Sequence, residues 1–287
     1  MKTQNIWIAS LAIAAIGSVG YLFAASSFTP DDEPTNYISG LAVTNNNLTS
    51  GDEYVFKTDF EKFGWQGNVY GYAINATGVL GSEAWTDNGL APLLDSDAKV
   101  IADRIIVTLK DDGTKVPFIA TAGGISTTQL GTLAVTGATT TQVLDFIRGD
   151  RTNEKTSANT TRPFRERQSR LGDIIHSRPF YSKLGSVPVL FVGANDGMLH
   201  AFNASTPTSA TPIPPNGGEE IWAYIPSMLI PKLKNLTADP YVHNYYVDGG
   251  LTVGDAEISG TASRVLVSGL GAGGKGLFAL NVTNQWL

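Results

Sequence analysis

The chain uses one phrase twice. Residues Val189–Ser205 read VLFVGANDGMLHAFNAS, and Val265–Thr283 read VLVSGLGAGGKGLFALNVT. Each phrase is an apolar run, a glycine-rich turn and a second apolar run ending in Asn. After the turns, Met198-Leu199-His200-Ala201-Phe202-Asn203 falls in register with Gly276-Leu277-Phe278-Ala279-Leu280-Asn281. One strand–turn–strand unit cannot bury its apolar face alone, so repeated copies imply a radial or stacked β architecture. The phrases start 76 residues apart (265 − 189). That exceeds one propeller blade of roughly 40–45 residues, so the spacing predicts insertions in one blade or a further blade between them.

Composition agrees with an all-β chain. The 31 Gly and 14 Pro among 287 residues supply many turns, and 42% hydrophobic residues are enough for a core. A net charge of -6 argues against a nucleic-acid partner, which asks for a basic patch. With no cysteine, neither a disulfide nor a Cys-ligated metal can form.

Residues 1–25 read as a signal peptide: Lys2, an apolar stretch from Ile6 to Ala25, then the small residues Ala24-Ala25-Ser26-Ser27 for cleavage. The competing reading is an uncleaved membrane anchor. Either way the remainder is exported, and membrane contact is confined to this segment. Residues 26–52 follow as a linker. Residues 53–148 read as a β-rich region, with strand-like runs at Tyr54-Val55-Phe56, Asn68 to Ile74 and Arg104 to Leu109. Asp111-Asp112-Gly113 reads as a turn, Gly123 to Thr141 as loop or weak strand, and Thr141 to Arg148 as a short helical turn. Residues 149–170 (GDRTNEKTSANTTRPFRERQSR) are so polar that they read as an exposed linker. Residues 171–287 then form incomplete propeller blades. Asp196-Gly197 predicts a type I′ hairpin turn, and Gly273-Gly274 a second blade turn.

Several patterns invite a chemical reading. Gly269 to Lys275 satisfies G-x-G-x-x-G and nearly the phosphate-loop pattern. Both need a helix after the loop, whereas Leu277 to Val282 reads as a strand, so a glycine hairpin is predicted. For calcium the nearest match is Asp95, Asp97 and Asp103, which lacks the Gly and the later acidic ligand of a binding loop. His176, His200 and His243 are far apart. His200, inside a strand, reads as a packed, hydrogen-bonded histidine before a metal ligand. Glu219-Glu220 reads as a solvated pair. No nucleophile elbow and no Cys nucleophile are found, so catalysis is not indicated. Arg148-Gly149-Asp150 is the one short recognition motif: from a tight exposed turn it would present opposite charges, as integrin-binding tripeptides do.

Longer phrases resemble the type IV pilus biogenesis and tip-adhesin family PilC/PilY, in its C-terminal β-propeller region. They are Leu171-Gly172-Asp173-Ile174-Ile175-His176-Ser177-Arg178-Pro179, Val192 to Phe202, Glu220-x-Trp222-Ala223-Tyr224-Ile225-Pro226, Tyr246-Val247-Asp248-Gly249 and Gly269 to Gly276. Trp65-Gln66-Gly67-Asn68, Trp85, Arg104 and Leu144 to Arg151 are similar to the segment before that propeller. The resemblance implies a partial β-propeller with quinoprotein-like blades, preceded by a smaller β-rich region. It further implies a non-enzymatic protein at the periplasm, outer membrane or cell surface. Its partners would be pilin or the pilus machinery, and host or abiotic surfaces. It would support pilus assembly, twitching motility and adhesion. The family uses calcium, but its acidic loop is not found in this chain and no cofactor is identifiable. The family's large N-terminal region is also missing, and two or three blades are fewer than a propeller needs. The sequence alternatives are a quinoprotein-like dehydrogenase fragment and a truncated product without function.

Overall fold

The computed structural model describes residues 36–43, 53–75, 79–85, 88–96, 103–184, 187–205 and 216–284. The reading of residues 1–25 as a signal or anchor lies outside them. Among the described residues the strands form three sheets. The first is an antiparallel meander of β1 (Asn36–Val43), β2 (Glu53–Glu61), β3 (Gln66–Ile74) and β4 (Leu80–Glu83). Strand β3 alternates, burying Gly67, Val69 and Gly71 and turning Asn68, Tyr70 and Tyr72 outward, as expected of a strand with one packed face.

The central sheet has six strands in the order β6-β5-β10-β9-β8-β7. Strands β7 (Phe180–Leu184), β8 (Val187–Gly193), β9 (Leu199–Asn203) and β10 (Glu220–Tyr224) form an up-and-down antiparallel unit. Strand β8 is apolar without alternation because both of its faces are covered. Val189 and Phe191 enter one core with Trp222 and Leu266, while Leu190 and Val192 enter a second with Phe56 and Val69 of the first sheet. Each such side chain contributes about 1.5–3 kcal/mol on burial.

The third sheet is β11 (Leu251–Ile258), β12 (Thr261–Gly269) and β13 (Leu277–Asn281). It joins the core of the central sheet through Leu266 and Phe278, whose ring lies 5.3 Å from that of Tyr224. The repeated phrase is therefore the β8–β9 hairpin in one sheet and the β12–β13 hairpin in the next. Among the described residues, β10, a helical stretch including α4 (Ile230–Leu233), a loop and β11 fill the spacing, without a further blade.

The front of the chain does not stop at a linker. Strands β5 (Ile106–Leu109) and β6 (Lys115–Pro117) form a hairpin across the expected Asp111–Gly113 turn, and β5 then adds in parallel to β10. Ala223 N donates to Ile105 O at 2.9 Å, Ile225 N to Val107 O at 2.9 Å, and Thr108 Oγ1 to Ile225 O at 2.7 Å. Residues 53–148 and 171–287 thus share a sheet, and all described residues fall in one compact unit, 35–287. The boundary expected near residue 149 is not a structural one.

The described residues before this junction include the helices α1 (Ala91–Ser96), α2 (Thr127–Thr132) and α3 (Thr140–Arg148). The last bears out the helical turn expected there. In contrast, α2 lies where loop or weak strand was expected. Ser126 and Thr139 each cap their helix in a full capping box, with Gln129 and Gln142 returning the bond.

Residues 149–170 are not an exposed linker either. Glu154 is 3% and Arg167 8% exposed. Arg167 donates through Nε to Glu154 Oε1 at 2.7 Å and through Nη1 to Phe146 O at 2.8 Å. A charged sequence can be interior when each charge finds an opposite partner and its hydrogen bonds.

Candidate functional site

The phrases that carry the family resemblance meet one another around the β8–β9 loop. That loop holds three residues, Asn195, Asp196 and Gly197, and differs from the type I′ turn expected of Asp-Gly. Only Gly197 has a positive φ (99°), and Ala194 N donates to Met198 O at 2.9 Å. This is the three-residue hairpin with glycine in the left-handed position. The change of turn leaves Asp196 free to face inward. Its carboxylate accepts from Gly172 N at 3.1 Å and Met198 N at 3.0 Å.

Asp196 begins a buried chain of alternating charge. Its Oδ2 lies 3.0 Å from His200 Nε2, and His200 Nδ1 lies 2.7 Å from Glu220 Oε1. Glu220 takes both arms of Arg104, Nε at 2.6 Å and Nη2 at 2.8 Å. Burial opposes charge on His200, but Asp196 and Glu220 outweigh it and raise the imidazole to about 9. Burial likewise works against Glu220, and Arg104 with His200 outweighs it, holding the carboxyl far below its ordinary value. His200 is therefore the packed, hydrogen-bonded residue expected, with both ring nitrogens engaged. Glu220 corrects the solvated-pair reading: its side chain is 5% exposed and holds a bidentate arginine.

The other two histidines also pair with carboxylates, although the His176 side chain is exposed. His176 Nδ1 sits 2.6 Å from Asp248 Oδ2, and its backbone N–H donates to Asp248 Oδ1 at 3.1 Å. His243 Nε2 sits 2.8 Å from Asp173 Oδ2, which also accepts from Asn195 Nδ2 at 2.8 Å. Asn195 Oδ1 in turn accepts from Tyr246 N at 2.9 Å. Trp65, at the tip between β2 and β3, stacks on His243 with ring centres 3.7 Å apart. Trp65 takes a left-handed φ of 53°, an uncommon state for an aromatic residue that this stacking helps to hold. Four of the five propeller phrases therefore exchange a side-chain carboxylate, imidazole or amide, and the glycine phrase joins them through its backbone, with Asp248 N donating to Leu270 O at 3.2 Å.

The glycine loop between β12 and β13 is a hairpin, with Gly269 paired to Leu277. Gly273 sits where this loop presses on Tyr246, and Gly274 follows it in a conformation suited to glycine. A Cβ on Gly273 would collide with the Tyr246 carbonyl oxygen, and Gly274 has φ 148°. Overpacking of this kind costs about 1–3 kcal/mol. Gly273→Ala is expected to lower the urea midpoint accordingly, with an unchanged slope.

The Arg148-Gly149-Asp150 tripeptide is not displayed for a receptor. Arg148 ends α3 and is 5% exposed. Its Nη1 donates to Phe118 O at 3.0 Å and its Nη2 to Arg104 O at 3.1 Å. Gly149 is the left-handed C-cap of that helix (φ 117°), and Asp150 accepts from Thr152 N at 2.6 Å. The expectation of a tight exposed turn fails because the helix carries the arginine inward. Of the acidic trio, Asp95 is engaged by arginines, its Oδ1 accepting from Arg151 Nη2 at 2.9 Å and Arg170 N at 2.8 Å, and Asp97 lies outside the described residues. Among the described residues, no group of three or more His, Asp or Glu side chains is placed to hold a metal ion.

Comparison with known proteins matches the wired region. Residues 176–286 fit the model of the PilY1 beta-propeller domain. A type IV pilus biogenesis factor PilY1 homolog of Xylella fastidiosa (strain Temecula1) is 31% identical over 310 residues, covering 99% of this chain and 22% of that protein. A second homolog from the same strain is 30% identical over 77% of this chain and 18% of its own length. The type IV pilus biogenesis factor PilY1 of Pseudomonas aeruginosa (strain PAK) is 39% identical over 167 residues, 48% of this chain and 13% of that protein. The chain thus spans about a fifth or less of the length of these relatives. No solved structure gives a significant match. The mostly-β architecture, the repeated hairpins in adjoining sheets and the propeller match agree: residues 176–286 carry part of a PilY1-type β-propeller.

Proposed function

We propose that this chain is a non-enzymatic, pilus-associated binding protein. It acts outside the cytoplasm, in the cell envelope or on the cell surface, and supports type IV pilus assembly, twitching motility and attachment. Its partners are pilin or other parts of the pilus machinery. The observation that carries this reading is the PilY1 propeller match over residues 176–286, the stretch in which His176, His200, Glu220, His243 and Asp248, with Asp173 just before it, tie the phrases together. The three histidine–carboxylate pairs position backbone segments and serve no reaction in this proposal. The proposal needs neither a quinone nor calcium from this chain.

A clean deletion in the source bacterium tests it. Loss of surface pili and a reduced twitching zone, both restored by the gene in trans, are the expected results. Unchanged piliation, twitching and attachment would overturn the proposal.

A further inference from the structure

A cleft of about 600 Å³ opens on the outward face of the first sheet, away from the wired phrases. Three separate parts of the chain form it: β2 with β3, the start of α1, and Gln168 with Ser169. Its size is that of a small-molecule site. Carboxylates of Asp59, Glu61 and Asp95 line it, with the amides of Gln66 and Gln168 and the phenol of Tyr70. Ala91 and Pro92 add an apolar floor.

Two features make this more than a group of acids. The walls are held in place from behind. Asn68 Oδ1 accepts from Val69 N at 2.8 Å and Ala91 N at 2.9 Å, and its Nδ2 donates to Asn88 O at 2.6 Å, which clamps β3 to α1. Arg151 and Arg170 fix Asp95 on the opposite side. Two of the three carboxylates, Asp59 and Asp95, are answered nearby, and Glu61 accepts from Gln66 Nε2. Lys57 acts on Asp59, Tyr70 hydrogen-bonds it, and Asp95 faces both arginines. No lysine or arginine lines the cleft itself. The site therefore offers hydrogen-bond acceptors without a large net demand for a cation. An ionised carboxylate accepts only, whereas amides and the phenol can do both. The matching ligand is neutral, rich in hydroxyl donors, and has an apolar face for the tyrosine and proline.

We infer that this cleft binds a short neutral saccharide, with Asp59, Glu61, Gln66 and Gln168 engaging its hydroxyls and Tyr70 and Pro92 its ring face. The inference stands apart from the pilus reading, since a sugar-binding assay on the purified chain is blind to piliation.

The test is saturation-transfer-difference NMR on the full chain with N-acetylglucosamine, galactose and chitobiose, followed by titration for Kd. Saturation transfer to at least one sugar is expected, with Kd in the millimolar range and weakened about tenfold or more by Glu61→Ala and by Asp59→Asn. Near-UV dichroism confirms that the variants are folded; if Asp59→Asn is not, Glu61→Ala and Tyr70→Ala decide. No transfer from the folded chain to any of the three sugars overturns the inference. Unchanged affinity in the folded variants overturns it too. Displacement of a bound sugar by spermidine at equal concentration does the same, since it shows a site for cations.

Discussion

Glu220→Ala is expected to destabilise the protein by about 3–5 kcal/mol, the loss that follows when one member of a buried ion pair is removed. The substitution strands Arg104, which holds Glu220 through both arms, and leaves the imidazole of His200 with Asp196 alone. At about 2–4 °C per kcal/mol for a domain of this size, the thermal midpoint falls by about 6–20 °C. Glu219→Ala, one residue away on a partly exposed side chain, is the control and is expected to change stability by less than about 1 kcal/mol. Equal midpoints for the two variants would mean that the buried chain of charge does not stabilise the fold.

The same network predicts a pH dependence. His200 is raised to about 9 in the folded state, so its contribution is fully present below the unfolded value of about 6.5 and fades as pH rises through 9. Glu220 is depressed, so its contribution is present above about 4.5 and fades as pH falls. Stability from this network is therefore greatest between about pH 4.5 and 6.5. His200→Gln should flatten the decline between pH 6.5 and 9 in urea-unfolding measurements. A wild-type midpoint constant over that interval would contradict the assignment.

The second large effect is expected at Arg167. A linker arginine should be replaceable at little cost. Here Arg167→Ala leaves Glu154, 3% exposed, without its guanidinium, and frees the Phe146 and Asp150 carbonyls from their donors. It also removes a guanidinium stacked 3.6 Å from the Phe146 ring centre. Burial, only partly opposed by Glu154, lowers Arg167 to about 10, so the pair remains charged at neutral pH. A loss of about 3–5 kcal/mol is expected. A urea midpoint within error of wild type would restore the linker reading.

These residues also show what the sequence reveals and what it conceals. The two hairpins are legible because their apolar runs and turn glycines are local. So is α3, since Val143, Leu144, Phe146 and Ile147 share one buried side. The identical logic of Ser126-Thr-Thr-Gln129 and Thr139-Thr-Thr-Gln142 marks both helix starts, and attention to the first would have located α2. The burial of Arg148, Arg167 and Glu220 is hidden for another reason. Charge predicts exposure unless a partner is known, and Arg104 finds Glu220 across 116 residues. Glu61, Gln66 and Gln168 of the cleft share that difficulty, because no local spacing brings 59–70, 88–95 and 168–169 together. The Arg-Gly-Asp tripeptide misleads in the opposite sense: its glycine serves to end a helix.

The parallel pairing of β5 with β10 imposes an order of events on a growing chain. Ile106 meets Ala223, a separation of 117 residues (223 − 106). At a synthesis rate of about 5–20 residues per second, the β5–β6 hairpin waits about 6–23 s for the strand that completes it. During that interval Ile106, Val107 and Val116, all buried in the finished fold, have no sheet to enter. Until β10 arrives, the edge of β5 presents unpaired backbone groups to any passing strand.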